Sequence, residues 1–244
     1  MARFDLKQLL AGNPYPGRGI IIGKSADGKN ALFAYFIMGR SENSRNRVFE
    51  TFPGGMRTKA FDESRVSDPR LIIYNAYRRL PLIDVVTNGD QTDTIFEELQ
   101  KDAVRDGFAF ERALNTREFE PDAPNFTPRI SGILYYCFAR AEFTYKLSIL
   151  KSADGTAGGG CSRFFFSYAP TDGVGHFIHT YKTDGNPIPS FEGEPEQVTL
   201  PATAAELADE VWTNLNADNK VSLFVRQIPL DGGEPTEIVI NKNQ

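Results

Sequence analysis

The chain has 244 residues, a net charge of −5, 41% hydrophobic and 12% aromatic residues, and two cysteines. That length suits a single sizeable domain over 1–244, and the apolar fraction is enough for a core. The acidic balance argues against nucleic acid as a partner, the two cysteines make neither a disulfide framework nor a zinc pattern, and no apolar run reaches the roughly 20 residues that cross a bilayer.

The start, Met1-Ala2-Arg3-Phe4-Asp5, is polar and does not read as a signal peptide, so a cytoplasmic protein with no membrane partner is expected. Residues 4–10 carry apolar side chains at a spacing that fits one or two helical turns. Asn13 to Gly19, with two prolines and two glycines, is a rigid connector. Gly19 to Gly23 and Ala31 to Met38 read as two strands of a hairpin, because Asp27-Gly28 between apolar runs is a strong turn signal. Gly39 to Arg47 follows, with Arg40, Arg45 and Arg47 and no aliphatic residue. Guanidiniums crowd together at a cost unless an anion lies between them, and their planar forks suit phosphate or carboxylate. The loop is therefore a candidate anion site, the alternative being a solvated surface loop.

Arg47 to Phe52 reads as a third strand, ended by Pro53-Gly54-Gly55. Arg70 to Tyr77 and Leu80 to Thr87 are β-rich, with Arg78-Arg79 as the turn between them. Asn88-Gly89-Asp90 is turn chemistry. Thr92-Asp93-Thr94 then supplies a cap for a helix carrying Ile95, Phe96, Leu99, Ala103 and Val104 on one face, broken by Gly107. The start of that helix is either an anion site or ordinary capping. A shorter helix over 110–117 leads into a loop with three prolines, where Glu120 and Asp122 precede Arg129. A carboxylate held there is a general acid or base, or one half of a salt bridge.

The second half returns to strands over 130–140, 142–150, 163–169 and 174–181. Cys137 is expected in the core and Cys161 in a loop. Thr203-Ala204-Ala205-Glu206 is a capping box for a helix with Leu207, Val211, Trp212 and Leu215 inward, and strands over 220–228 and 236–240 close the chain. His176 and His179 fall three apart on a strand, so they point to opposite faces and make no metal pair. Gly158-Gly159-Gly160 lacks the spacing of a phosphate loop. The element order fits an α+β class, with two packed sheets and helices on an outer face.

Several of these stretches together resemble one family. They are Arg18-Gly19, Arg40-Ser41, Asn46-Arg47, Tyr74-Asn75, Asn88-Gly89 with Thr92-Asp93-Thr94-Ile95, Phe119-Glu120, and Thr127-Pro128-Arg129-Ile130. Their order and spacing over roughly residues 17–135 resemble the archaeal-type IMP cyclohydrolases, with residues 1–16 as an N-terminal extension. The resemblance implies a four-layer αββα sandwich of the N-terminal-nucleophile hydrolase type, without self-processing. It implies closure of 5-formamidoimidazole-4-carboxamide ribonucleotide to IMP with loss of water, needing no metal or other cofactor. Tyr74, Glu120 and Arg47 are the implied catalytic residues. Arg18, Arg40, Asn75, Asn88, Gly89 and Arg129 would bind substrate. The implied partners are a purine ribonucleotide and further copies of the chain in a homo-oligomer. Two rivals are a non-catalytic sensor of purine ribonucleotides and an amidohydrolase with a processed N-terminal nucleophile.

Overall fold

The computed structural model describes residues 3–66, 73–101 and 107–243. Its strands form two antiparallel sheets. The first contains β1 (Arg18–Lys24), β2 (Asn30–Met38), β10 (Val174–His179), β11 (Glu196–Thr199), β12 (Lys220–Pro229) and β13 (Thr236–Asn241), in the order β11-β10-β1-β2-β12-β13. The second runs in chain order through β3 (Arg47–Phe52), β4 (Gly55–Ala60), β5 (Asn75–Leu80), β6 (Ile83–Thr87), β7 (Arg129–Cys137), β8 (Glu142–Ser152) and β9 (Cys161–Tyr168).

Period-2 alternation divides the apolar residues into three cores. On β2, Phe33, Tyr35 and Ile37 face the second sheet, where they meet Met56, Tyr77, Leu134 and Leu147. Leu32, Ala34, Phe36 and Met38 face the other way. They are covered by α1 (Leu6–Gly12) and α5 (Ala204–Asn214) through Leu6, Leu10, Leu207 and Val211. On the far side of the second sheet, Val85, Ile133 and Leu150 are covered by Ile95 of α3 (Gln91–Lys101) and Phe110 of α4 (Ala109–Asn115). The layers are therefore helix, sheet, sheet, helix, with helices on both outer faces instead of one. All nine residues of β2 are buried. Fully burying a side chain such as Phe33 contributes about 1.5–3 kcal/mol, so a one-residue slip of this strand is strongly disfavoured. Gly132 lets the sheets approach closely, because a Cβ there would sit 2.5 Å from Ile22 Cδ1.

The structure corrects several expectations. Arg78 and Arg79 lie within β5, and the β5–β6 turn is Pro81-Leu82. Residues 70–72 of the expected strand, and Ala103 and Val104 of the expected helix face, lie outside the described residues. Strands β4 and β11 were not anticipated. Helix α3 begins at Gln91, so Thr92 sits inside its first turn and bonds back to the Gly89 carbonyl. Cys137 is exposed at the end of β7, and Cys161 opens β9 instead of lying in a loop. The Thr203–Glu206 capping box is present as read. The two histidines do face opposite ways: His176 meets Tyr145 between the sheets, and His179 packs against Phe177 on the helix side.

Candidate active site

The anion-site reading of the Gly39–Arg47 loop is only partly realised, because its arginines diverge. Ser41 caps a single helical turn, α2 (Glu42–Arg45), and that turn aims the guanidiniums differently. Arg40 lies over the Tyr15 ring, 5.2 Å from its centroid, and pairs with Asp184 and the Gly185 carbonyl at the surface. Arg45 donates to the Gly39 carbonyl and to Asn219. Only Arg47 turns inward. It is 1% exposed, its Nε donates to the Ser44 carbonyl at 2.9 Å, and its buried Nη1 has no hydrogen-bond partner.

Arg47 opens β3 on the second sheet, facing the core between the sheets. Arg18, at the start of β1 on the first sheet, faces the same space, and its buried Nε is also without a partner. Around these two guanidiniums stand Tyr35, Tyr74 and Glu120, with Tyr15 and Tyr181 on the Arg18 side. Burial disfavours the charged form of Arg47, and the neighbouring Arg18 adds repulsion, so its pKa is lowered. Burial acts on Arg18 too. There Tyr15, Glu120, Tyr181 and Tyr74 outweigh it, and the pKa is raised.

Glu120 comes from the proline-rich loop, pinned by its N–H to the Thr127 carbonyl at 2.9 Å. It is buried, and burial raises its carboxyl pKa against the opposing pull of Arg129 and Arg18. Arg129, the first residue of β7, lies 3.5 Å from Glu120, donates to Gln91 Oε1 at 3.0 Å and pairs with Asp90. Gly89 makes this arrangement possible, since a Cβ there would fall 1.6 Å from Arg129 Nη1. Asn88 stands behind Arg129 with its amide committed to the backbone. It donates to the Pro128 carbonyl and accepts from the Ile130 N–H and from Gln91. Thr127 donates to Asp122 and receives the Tyr181 hydroxyl.

The structure thus brings Arg18, Arg47, Tyr74, Glu120 and Arg129 together, with Gly89 and Asn88 in support. Arg40 is at the rim. Asn75 is elsewhere: it follows Tyr74 along an extended chain and points to the opposite face, where its amide donates to both oxygens of Asp93 on α3 beside Arg78. The sequence reading missed Tyr35, Tyr181 and Gln91. Tyr35 had one visible trace, a polar tip within an otherwise apolar strand. A cavity of about 610 Å³ between α3, α4 and β6–β7 lies away from this cluster. It is lined by Leu80, Leu82, Leu99 and Tyr135 among others, and offers no charged side chain among its described lining residues. Charge, not cavity size, locates the chemistry here.

The arrangement can hold an anion between two buried cations, and it can exchange protons through the Tyr74 hydroxyl and through the Glu120 carboxyl, whose pKa is raised. Residues 15–232 match the family model described as IMP cyclohydrolase-like protein. The chain is 28% identical to the IMP cyclohydrolase of Methanocaldococcus jannaschii over 236 residues, covering 89% of this chain and 96% of that protein. It is 31% identical to the IMP cyclohydrolase of Methanocella arvoryzae over 131 residues, covering 49% of this chain and 57% of that one. This chain belongs to the IMP cyclohydrolase-like protein family.

Proposed function

We propose that this chain is an IMP cyclohydrolase, which closes 5-formamidoimidazole-4-carboxamide ribonucleotide to IMP with loss of water in purine biosynthesis. The observation that carries the reading beyond family membership is a charge imbalance. Arg18 and Arg47 each bury an unpartnered N–H, and Glu120, a carboxylate they share, is already engaged by Arg129. A buried cation needs a partner, and an anionic ligand supplies one.

The reaction is intramolecular. The carboxamide nitrogen attacks the formyl carbon, and a C–N bond forms. The formyl oxygen becomes a hydroxyl and leaves as water as the ring C=N bond forms. One proton leaves the carboxamide nitrogen, another leaves the formamide nitrogen, and both end on the departing oxygen. The enzyme therefore has to select the substrate rotamer that brings nitrogen to carbon, stabilise charge growing on oxygen, and move protons. Arg47 and Arg18 hold anionic oxygen, either the substrate phosphate or the developing oxyanion. Tyr74 and Glu120 carry the protons, and Arg129 orients Glu120. Remote phosphate binding contributes orientation at the reacting atoms.

The finer fold reading belongs to the same proposal: the helix–sheet–sheet–helix layering supports the N-terminal-nucleophile hydrolase type without self-processing. The proposal makes the enzyme cytoplasmic; no described helix is long and apolar enough to cross a membrane. The test is conversion of the formylated carboxamide ribonucleotide by purified, chelator-treated protein, followed by IMP absorbance. Saturable IMP formation that is lost in Arg47→Ala supports the proposal. Tight IMP binding without turnover supports a sensor instead, and neither binding nor turnover refutes both.

A further inference from the structure

Tyr35 lies at the centre of β2, fully buried, with its ring stacked on Phe49 at 5.5 Å and 24°. Its hydroxyl meets the Tyr74 hydroxyl at 2.9 Å, across the gap between the sheets. Two hydroxyls share this one bond, so one of their two protons lies outside it. If Tyr74 donated, the Tyr35 proton would be left in a packed wall. The charged groups that face Tyr35 there are Arg18 and Arg47, which are donors only. A buried donor without an acceptor is the costlier choice. If Tyr35 donates, the spare proton belongs to Tyr74, which is 8% exposed at the edge of the core and borders the same two arginines as Glu120.

We infer that Tyr35 is a positioning residue for the ring-closing reaction: by donating its hydroxyl proton to Tyr74 Oη, it turns the Tyr74 O–H out of the core and toward the site. This rests on the proposed function and adds a residue from the opposite sheet to it. Burial, followed by the charge of Tyr74, pushes the Tyr35 hydroxyl well above its ordinary pKa, so Tyr35 remains a donor throughout the working range. The charged groups that face Tyr35 are Arg18 from β1 and Arg47 from β3, and Glu120 from the loop before β7 acts on the same two arginines. Tyr35→Phe removes this one hydrogen bond to Tyr74 and leaves both arginines in place.

The test compares wild type, Tyr35→Phe, Tyr74→Phe, the double variant and Phe49→Leu. Tyr35→Phe keeps the ring and should bind IMP within about threefold of wild type. Its kcat should fall at least tenfold. The loss should fall on kcat, with KM within about threefold of wild type, because the substrate still binds while the proton-carrying hydroxyl is misdirected. The double variant should be no slower than Tyr74→Phe alone, since the second hydroxyl acts through the first. Phe49→Leu loosens the same ring but keeps both hydroxyls; it should lower the melting temperature and leave kcat within about threefold of wild type. Wild-type kcat in Tyr35→Phe overturns the inference. So do additive losses in the double variant, or a kcat that falls as far in Phe49→Leu. Absence of turnover in the wild type overturns the proposed function instead, and the two failures are thereby distinct.

Discussion

Gly89→Ala is the sharpest probe of how the site is held. Gly89 does not carry a left-handed backbone angle, so alanine adds no strain of its own there. The added Cβ would stand 1.6 Å from Arg129 Nη1 and 2.6 Å from Gln91 Oε1, and the guanidinium has to leave. It then loses the 3.0 Å bond to Gln91 and its place 3.5 Å from Glu120. One charge-assisted hydrogen bond is worth about 1.5–3 kcal/mol. At 1.36 kcal/mol per decade, kcat/KM should fall roughly 10- to 150-fold if the full amount is lost from the transition state. Over 244 residues, at about 2.1 cal/mol/K per residue, the same loss lowers the melting temperature by roughly 3–6 °C. Arg129 is the first of the groups that restrain the raised Glu120 pKa. Its departure raises that pKa further, so the limb of the pH profile belonging to Glu120 moves upward. Steady-state kinetics across pH and a thermal melt measure all three effects. Wild-type kinetics with an unmoved limb would refute the argument that Gly89 is retained to seat Arg129.

Arg47→Ala should weaken IMP binding at least tenfold by calorimetry while costing little stability, because burial and Arg18 already disfavour the Arg47 charge. Arg40→Ala, which breaks only a surface pair with Asp184, should change stability by less than about 1 kcal/mol and IMP affinity by less than threefold. Away from the site, Arg226→Met strands Asp84, which is 1% exposed and held by the Tyr77 and Tyr136 hydroxyls at 2.9 Å. Breaking a buried pair costs about 3–5 kcal/mol, or roughly 6–10 °C for this chain, and Asp84→Asn in the same molecule should restore much of it. Burial already raises the Asp84 pKa, and loss of Arg226 raises it further. The penalty of ionising Asp84 is present at neutral pH and vanishes below the ordinary aspartate value, so the Arg226→Met deficit in melts should shrink as the pH is lowered from 7 toward 4.

The hairpin at Asp27-Gly28 and the capping box at Thr203 were legible because each is fixed by residues a few positions apart. Strand β4 was equally local. Met56, Thr58 and Ala60 point inward and alternate with the more exposed Arg57 and Lys59, but the run is only weakly apolar. Two adjacent arginines between β-rich stretches suggest a turn, whereas Arg78 sits over the Phe96 ring, 3.8 Å from its centroid, and pairs with Asp93. The site itself is long-range. Glu120 and Arg129 were near enough in sequence to be linked, but nothing in either stretch points to Arg18 or Arg47, and only the family resemblance joined them. The resemblance pairs Asn75 with Tyr74, but adjacent residues on an extended chain face opposite ways. Tyr35 could not be separated from the core, because its role depends on a hydroxyl from the other sheet.

Arg18 and Tyr35 come from one sheet, while Arg47, Tyr74 and Arg129 come from the other side of the sandwich. The site is thus a joint between two slabs, and a ligand seated in it works as a rivet. Each sheet keeps its own backbone ladder when the slabs slide, so a shift of one side-chain width would silence the enzyme while its strand content stayed whole. Activity becomes a finer gauge of interlayer alignment than any spectroscopic measure of secondary structure. Conversely, substrate at a hundred times its dissociation constant adds about 2.7 kcal/mol against unfolding, and that reinforcement acts at the seam where the two halves would part.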